Sequence, residues 1–266
     1  MKIGAADTID RLEENLSWFI DDQRDIEIQD WAQPNAFSES STKKIGKLKD
    51  LLDGYNGRMG VHAPYIGLNI GCVEKCVQEL ARDQFKQMLE VVSQIHATHM
   101  VIHSPFIYFG DAFIPHISEN SLGTEIEAVH ETILPILHEA ESLGCTLVIE
   151  NIFDKNTHAL LALVDSFESD FVKLSIDTGH AHIHHVLTNS PTVDTWAKVA
   201  GRRLGHLHLQ DTDGRHDRHW QPGKGTINWQ ALFDTVESLD IEPRMILEVK
   251  DYIKGWSFLK SLRLAE

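Results

Sequence analysis

The chain of 266 residues is poor in cysteine, poor in basic charge and without a long apolar run, and each shortage excludes a class of protein. Its three cysteines, Cys72, Cys76 and Cys145, are odd in number and show no C-x-x-C spacing, which excludes a disulfide framework or a zinc ribbon; reduced, buried thiols are expected. No stretch approaches the roughly 20 apolar residues of a membrane span. The first twenty residues hold Asp7, Asp10, Glu13 and Glu14, where a secretory signal needs a basic start and an apolar run, so a soluble, cytoplasmic protein is expected. Against 40 acidic residues there are 24 basic ones, for a formal charge of −16; a protein that tracks a phosphate backbone normally has the opposite balance. Nucleic acid is therefore disfavoured as a partner. Neither G-x-G-x-x-G nor G-x-x-x-x-G-K-[ST] occurs, so no dinucleotide or P-loop phosphate site is visible.

What is present is a rhythm. Short β-branched or apolar runs alternate with longer segments of helical period about eight times. Strands are expected at 2–6, 25–29, 57–63, 99–104, 146–151, 172–177, 204–210 and 244–250. Helices are expected at 8–21, 40–52, 73–95, 123–143, 156–164, 192–199, 229–238 and 253–262. In the third helix Val77, Leu80, Phe85, Met88, Val92 and Ile95 recur on one face. Pro135 predicts a kink or break in the fourth. Eight βα units imply parallel strands, and a closed (β/α)8 barrel takes about 250 residues. The expectation is an α/β protein with one TIM-barrel domain over residues 1–266; an open doubly wound sheet is the alternative, weakened by the missing glycine-rich loop.

In such a barrel the site forms at the carboxyl ends of the strands. Six successive strands close on a histidine or carboxylate there: His62 in VHAPY, His103 in VIHSP, Glu150 in LVIEN, Asp177 in IDTGH, His208 in HLHLQD and Glu248 in MILEV. Singly, each reads as a hydrogen-bonded or solvated strand end. Together, carboxylates converging on a narrow mouth would repel and raise one another's pKa, and a divalent metal removes that penalty. His206 and His208, two apart on a strand, face the same side. The long loop after them carries Asp217, Arg218, His219 and Lys224, and long loops of this kind are usually functional. Arg218 and Lys224 are either a grip on a substrate phosphate or part of a solvated turn. Tyr65, Phe106 and Trp220 are candidate walls for a sugar or else packing; Trp31 and Phe37 lie in loops expected to shape the pocket; His182, His184 and His185 read as structural.

In their order and placement, VHAPY, VIHSP, LVIEN, IDTGH, HLHLQD, DRH-WQPGKG and MILEV resemble the xylose isomerase-like TIM-barrel superfamily, which includes sugar isomerases and epimerases and the endonuclease IV type of abasic-site nuclease. The resemblance implies that Glu150, Asp177, His208 and Glu248 share a metal, with Zn or Mn foremost and Mg or Co as alternatives, and that Glu150 and Glu248 transfer protons. It also implies further sites in the nuclease branch, with His62 and His103 joining Glu150, and His180, Asp217 and His219 forming a third group. In the isomerase branch His62, His103 and His180, with Arg218 and Lys224, would contact substrate. The expected activity is metal-dependent isomerisation or epimerisation of a sugar, a sugar phosphate or a related polyhydroxy carbonyl compound. The competing expectations are a zinc-dependent phosphodiesterase and a barrel that binds without turnover. An assembly of identical subunits is left open.

Overall fold

Eight parallel strands close into a barrel in sequence order: β1 (Gly4–Asp7), β2 (Ile26–Ile28), β3 (Met59–His62), β4 (His99–His103), β5 (Thr146–Glu150), β6 (Val172–Asp177), β7 (Leu204–Leu209) and β8 (Arg244–Leu247). The structure is a computed structural model, described over residues 1–33, 36–37, 40–106 and 121–266. Parallel pairing of β1 with β8, Gly4 opposite Ile246 and Ala5 opposite Leu247, completes the closure. The helices outside are α1 (Ile9–Glu14), α2 (Leu16–Ile20), α3 (Ser40–Leu51), α4 (Lys75–Ile95), α5 (Ser121–Ser142), α6 (His158–Ser166), α7 (Thr178–Thr188), α8 (Val193–Ala200), α9 (Trp229–Ser238) and α10 (Tyr252–Ser261). Among the described residues no helix is long and apolar enough to cross a membrane.

The amphipathic pattern explains the outer layer. In α4, Phe85, Met88, Val92 and Ile95 are buried, while Leu80 on the same stretch is half exposed. The α9 helix starts where Asn228 caps it by accepting from the Ala231 N–H at 3.1 Å. Three expectations are corrected. The segment 8–21 is two helices, interrupted at Asn15, whose side-chain amide donates to the Arg11 carbonyl instead. Of the kink or break expected at Pro135, the break is absent, since α5 continues through it. Of the three thiols, Cys145 alone is buried; Cys76 is exposed and Cys72 partly so.

The unforeseen helix is α7. Strand β6 runs into it without a loop, because Asp177, its last residue, is also the N-cap: the carboxylate accepts from the His180 N–H at 2.7 Å. The register of the sheet then decides which strand ends meet. His103 lies opposite Glu150 across β4 and β5, and Asp177 opposite His208 across β6 and β7.

Candidate metal centre and active site

The histidines and carboxylates singled out in the sequence as ligands are all drawn to the carboxyl-terminal mouth of the barrel. Glu150, Asp177, His208 and Glu248 form one group whose ligand atoms lie within 4.8 Å of one another. His62, His103 and Glu150 form a second, and His180, Asp217 and His219 a third. His62, His103, Glu150, His180, Asp217, His219 and Glu248 border a cavity of about 1020 Å³ that Tyr65, Leu68, Phe153, Gln29, Arg11 and Lys250 also line, while Asp177 and His208 lie behind its wall.

His208 is the pivot of the first group. Its Nε2 donates to Glu27 Oε1 at 2.8 Å, and its Nδ1 faces Glu150 Oε1 at 2.9 Å and Glu248 Oε2 at 3.5 Å. Burial alone would lower its pKa, but Glu248, Glu150 and Glu27 outweigh that and hold it well above the ordinary value. Burial likewise works against ionised Glu150, yet His208 and His62 keep its carboxyl well below the usual range. Glu150 is 1% exposed, and its Oε2 has no hydrogen-bond partner. That orphaned oxygen has His62 Nε2 at 3.6 Å and His103 Nε2 at 3.7 Å, so it opens on more ligand-type nitrogens. Buried polar atoms are rarely left unsatisfied, and a cation would satisfy this one. Nitrogen and oxygen donors without a thiolate suit Zn or Mn.

Three histidines are held in the tautomer that a ligand needs. Backbone carbonyls only accept, so the ring Nδ1 of His62 donates to the Ala63 carbonyl at 2.8 Å, that of His180 to Asn151 at 3.0 Å and that of His219 to Glu248 at 2.9 Å. Each Nε2 is thereby left toward the carboxylates, His180 at 3.4 Å and His219 at 3.1 Å from Asp217 Oδ2. Burial opposes charge on His180 and His219, but Asp177 and Asp217 beside the first, and Asp217 and Glu248 beside the second, lift both to about 10. Burial dominates at His103, pushed down to about 3, and at Asp177, pushed up to about 6.

Two glutamines complete the frame, and neither stood out in the sequence. Gln29, on the cavity wall, donates to Glu248 Oε1 at 2.5 Å. Gln210 donates to Asp217 at 2.7 Å and to Asp177 at 3.2 Å while accepting from the His219 N–H at 3.0 Å. Gly179 makes room for it, since a Cβ there would stand 2.3 Å from the Gln210 side chain.

The structure does not bring Arg218 and Lys224 to the cavity. Arg218 pairs with Asp213 at 3.0 Å and lies over Trp220, and Lys224 is on the exposed outer part of the loop. The neighbouring glycine serves the loop itself: the Gly223 N–H donates to buried Asp211 at 2.9 Å. Lysine and arginine reach the cavity instead as Arg11 and Lys250. Of the candidate walls, Tyr65 lines the cavity and stacks on His103 with ring centres 4.3 Å apart. Phe106 and Trp31 are core residues, 2% and 0% exposed, and Trp220 and Phe37 stand outside the cavity lining.

A family profile described as a xylose isomerase-like TIM barrel matches residues 24–262. The chain belongs to that family. Among solved structures, this xylose isomerase-like barrel is similar to a D-tagatose 3-epimerase-like protein (TM-score 0.77, 21% identity, 98% of this chain and 96% of the other). It is also similar to a Thermus thermophilus protein soaked with ZnCl2 (TM-score 0.74, 24% identity, 98% of each chain). In sequence it is 22% identical over 174 residues to the 3-dehydro-D-guloside 4-epimerase of Escherichia coli K12, covering 62% of each chain.

Proposed function

We propose that this barrel is a divalent-metal-dependent epimerase or isomerase of a sugar or related polyhydroxy carbonyl compound, with Glu150 and Glu248 as its proton-transferring pair. The observation that carries the reading is the convergence of Glu150, Asp177, His208 and Glu248 on one point, with the two glutamates on the cavity wall. The names of relatives, a tagatose 3-epimerase-like protein and a guloside 4-epimerase, point to the same class of substrate.

A divalent ion in that group would polarise a carbonyl and an adjacent hydroxyl, lowering the cost of enediolate charge. The side chains supply the proton steps. One glutamate takes the proton from carbon and the other returns one to the opposite face, which inverts the centre with no net change in protons. Each glutamate has two oxygens to divide between holding the centre and meeting the substrate. The Gln29 amide fixes the rotamer of Glu248, and Glu150 is held ionised as a base must be. Arg11 and Lys250 are where an anionic group on the substrate would be sensed.

The test is exchange of carbon-bound substrate protons into D2O by metal-loaded protein over a panel of ketoses, keto-glycosides and their phosphates. Glu150→Gln and Glu248→Gln should each lower exchange by about 10²–10⁴-fold, with metal content measured on the same samples. Metal-loaded wild-type protein that exchanges nothing and epimerises nothing across the panel overturns the reading. A second reading rests on the tautomers of His62, His180 and His219, which suit three ions rather than one. It predicts three bound zinc ions per chain and cleavage of phosphodiesters, including an abasic duplex.

A further inference from the structure

Strand β2 gives no side chain to the four-residue group, yet it carries the residue on which that group's only histidine rests. Glu27 is 0% exposed, and its carboxylate meets three imidazoles: Oε2 accepts from His99 Nε2 at 3.0 Å and His206 Nε2 at 3.1 Å, and Oε1 from His208 Nε2 at 2.8 Å. A buried carboxylate is strongly destabilising unless it is compensated, and three N–H donors are the compensation. The barrel is shaped to admit them, since a Cβ at Gly60 would stand 1.9 Å from the His99 ring.

The far sides of the three rings differ. His206 Nδ1 meets Ser175 Oγ at 2.8 Å, and His99 Nδ1 has no partner. Only His208 carries the chain of contacts onward, to Glu150 and Glu248. An ionised carboxylate accepts and never donates, so the proton shared with Glu27 belongs to Nε2 of His208. Nδ1, 2.9 Å from Glu150 Oε1 and 3.5 Å from Glu248 Oε2, is then the nitrogen left to the ion once the proton it shares with those carboxylates is displaced. With that proton gone, the Nδ1 lone pair and the two carboxylates turn on one point and make a seat for a cation.

We propose that Glu27 is the positioning residue of the metal centre, fixing the tautomer and ring plane of His208 so that Nδ1 is presented to the ion together with Glu150, Asp177 and Glu248. The inference rests on the metal-dependent reading above. Glu27, His206 and His208 also lie close enough to hold an ion of their own, but that site would need the Nε2 lone pair of His208, which the same tautomer removes. The two arrangements therefore exclude each other and can be told apart.

Nitrogen-15 spectra of the zinc-loaded protein, with His208 assigned by substitution, should show it protonated at Nε2 and without a proton at Nδ1. Competition of Zn²⁺ or Mn²⁺ against a chromophoric chelator should then give an affinity about 10–100-fold weaker for Glu27→Gln than for wild type. His99→Gln is the control, because it removes another partner of Glu27 without touching His208; its metal affinity should stay close to wild type even where its Tm falls. The proposal is overturned by a zinc-loaded His208 that keeps its proton on Nδ1, by Glu27→Gln binding metal as tightly as wild type, or by His99→Gln weakening it as much. If Glu27→Gln does not fold, the wild-type spectra decide. Wild-type protein that binds no divalent ion overturns the proposed function itself, and this inference with it, whereas the other outcomes leave that function standing.

Discussion

Asp154 shows how a residue beside the cavity differs from one inside the ligand groups. It is 5% exposed, with Ser104 Oγ at 3.1 Å and the Ile152 N–H at 3.0 Å as donors, and it joins the loops after β4 and β5. Burial is the dominant influence and pushes its pKa up to about 7, where Glu150, ringed by imidazoles, goes the other way. The sign of the consequence follows from linkage. The folded pKa lies above the unfolded value of 3.8, so the folded chain binds the proton more tightly. The stability gained is complete below the unfolded value and lost as pH rises toward 7. From pH 5 to pH 8 the loss is roughly 2–3 kcal/mol. Asp154→Asn carries no such proton, so its stability relative to wild type should improve by about that amount over the same interval. Urea unfolding of both proteins at the two pH values measures it, and an unchanged difference refutes the assignment.

At the scale of elements, the loop after β7 is organised from beneath by one carboxylate. Asp211 is 0% exposed, and accepts from the Thr212 and Ile227 N–H groups at 2.9 and 3.3 Å through Oδ1, and from Gly223 N–H and Trp229 Nε1 at 2.9 and 3.1 Å through Oδ2. Asp211→Ala orphans those donors and should cost about 3 kcal/mol or more, lowering Tm by roughly 5–10 °C. Loss of the loop should also release Asp217 and His219. A thermal melt, with metal stoichiometry on the same variant, checks both, and an unaltered Tm contradicts the role. This loop also marks the limit of what was legible in the sequence. Strand ends announce themselves, because an apolar run closing on His, Asp or Glu is a local pattern; hence the barrel, and the gathering of His62, His103, Glu150, Asp177, His208 and Glu248, could be read. Glu27 could not be read that way. It lies between Ile26 and Ile28 in the middle of a strand, where only the closed barrel turns it onto His208. A carboxylate between two isoleucines, in the short alternating stretch Asp25–Gln29, was the available signal. Asp211 and Gln210 act on residues that the fold brings to them. Arg11 reaches the cavity from α1 and Lys250 from beyond the end of β8, and no local pattern aims either of them. The α7 helix escaped the sequence reading because its cap, Asp177, is also the last residue of β6, and Gly179 in its first turn reads as a loop signal.

On the scale of the whole molecule, a metal bound as proposed would tie folding and protons together. A chain with a formal charge of −16 gathers several carboxylates at one end of its barrel, and there they hold protons on nearby imidazoles. His180 and His219 are lifted to about 10 and His208 well above its ordinary value by those same carboxylates, against the pull of burial. An ion entering the groups must displace protons, because an imidazole binds metal through a lone pair. Each proton displaced makes the apparent affinity rise about tenfold per pH unit while the free histidine remains protonated. A divalent ion at 100 times its Kd should stabilise the fold by about 2.7 kcal/mol. The increment in Tm on adding metal should therefore be small at pH 6 and grow toward pH 8, and a chelator should abolish it. Calorimetry in two buffers of different ionisation enthalpy counts the protons directly. Release of at least one proton per ion is expected; an ion that binds at pH 7 with none, and a Tm increment flat from pH 6 to 8, would mean that the imidazoles of this mouth are not its ligands.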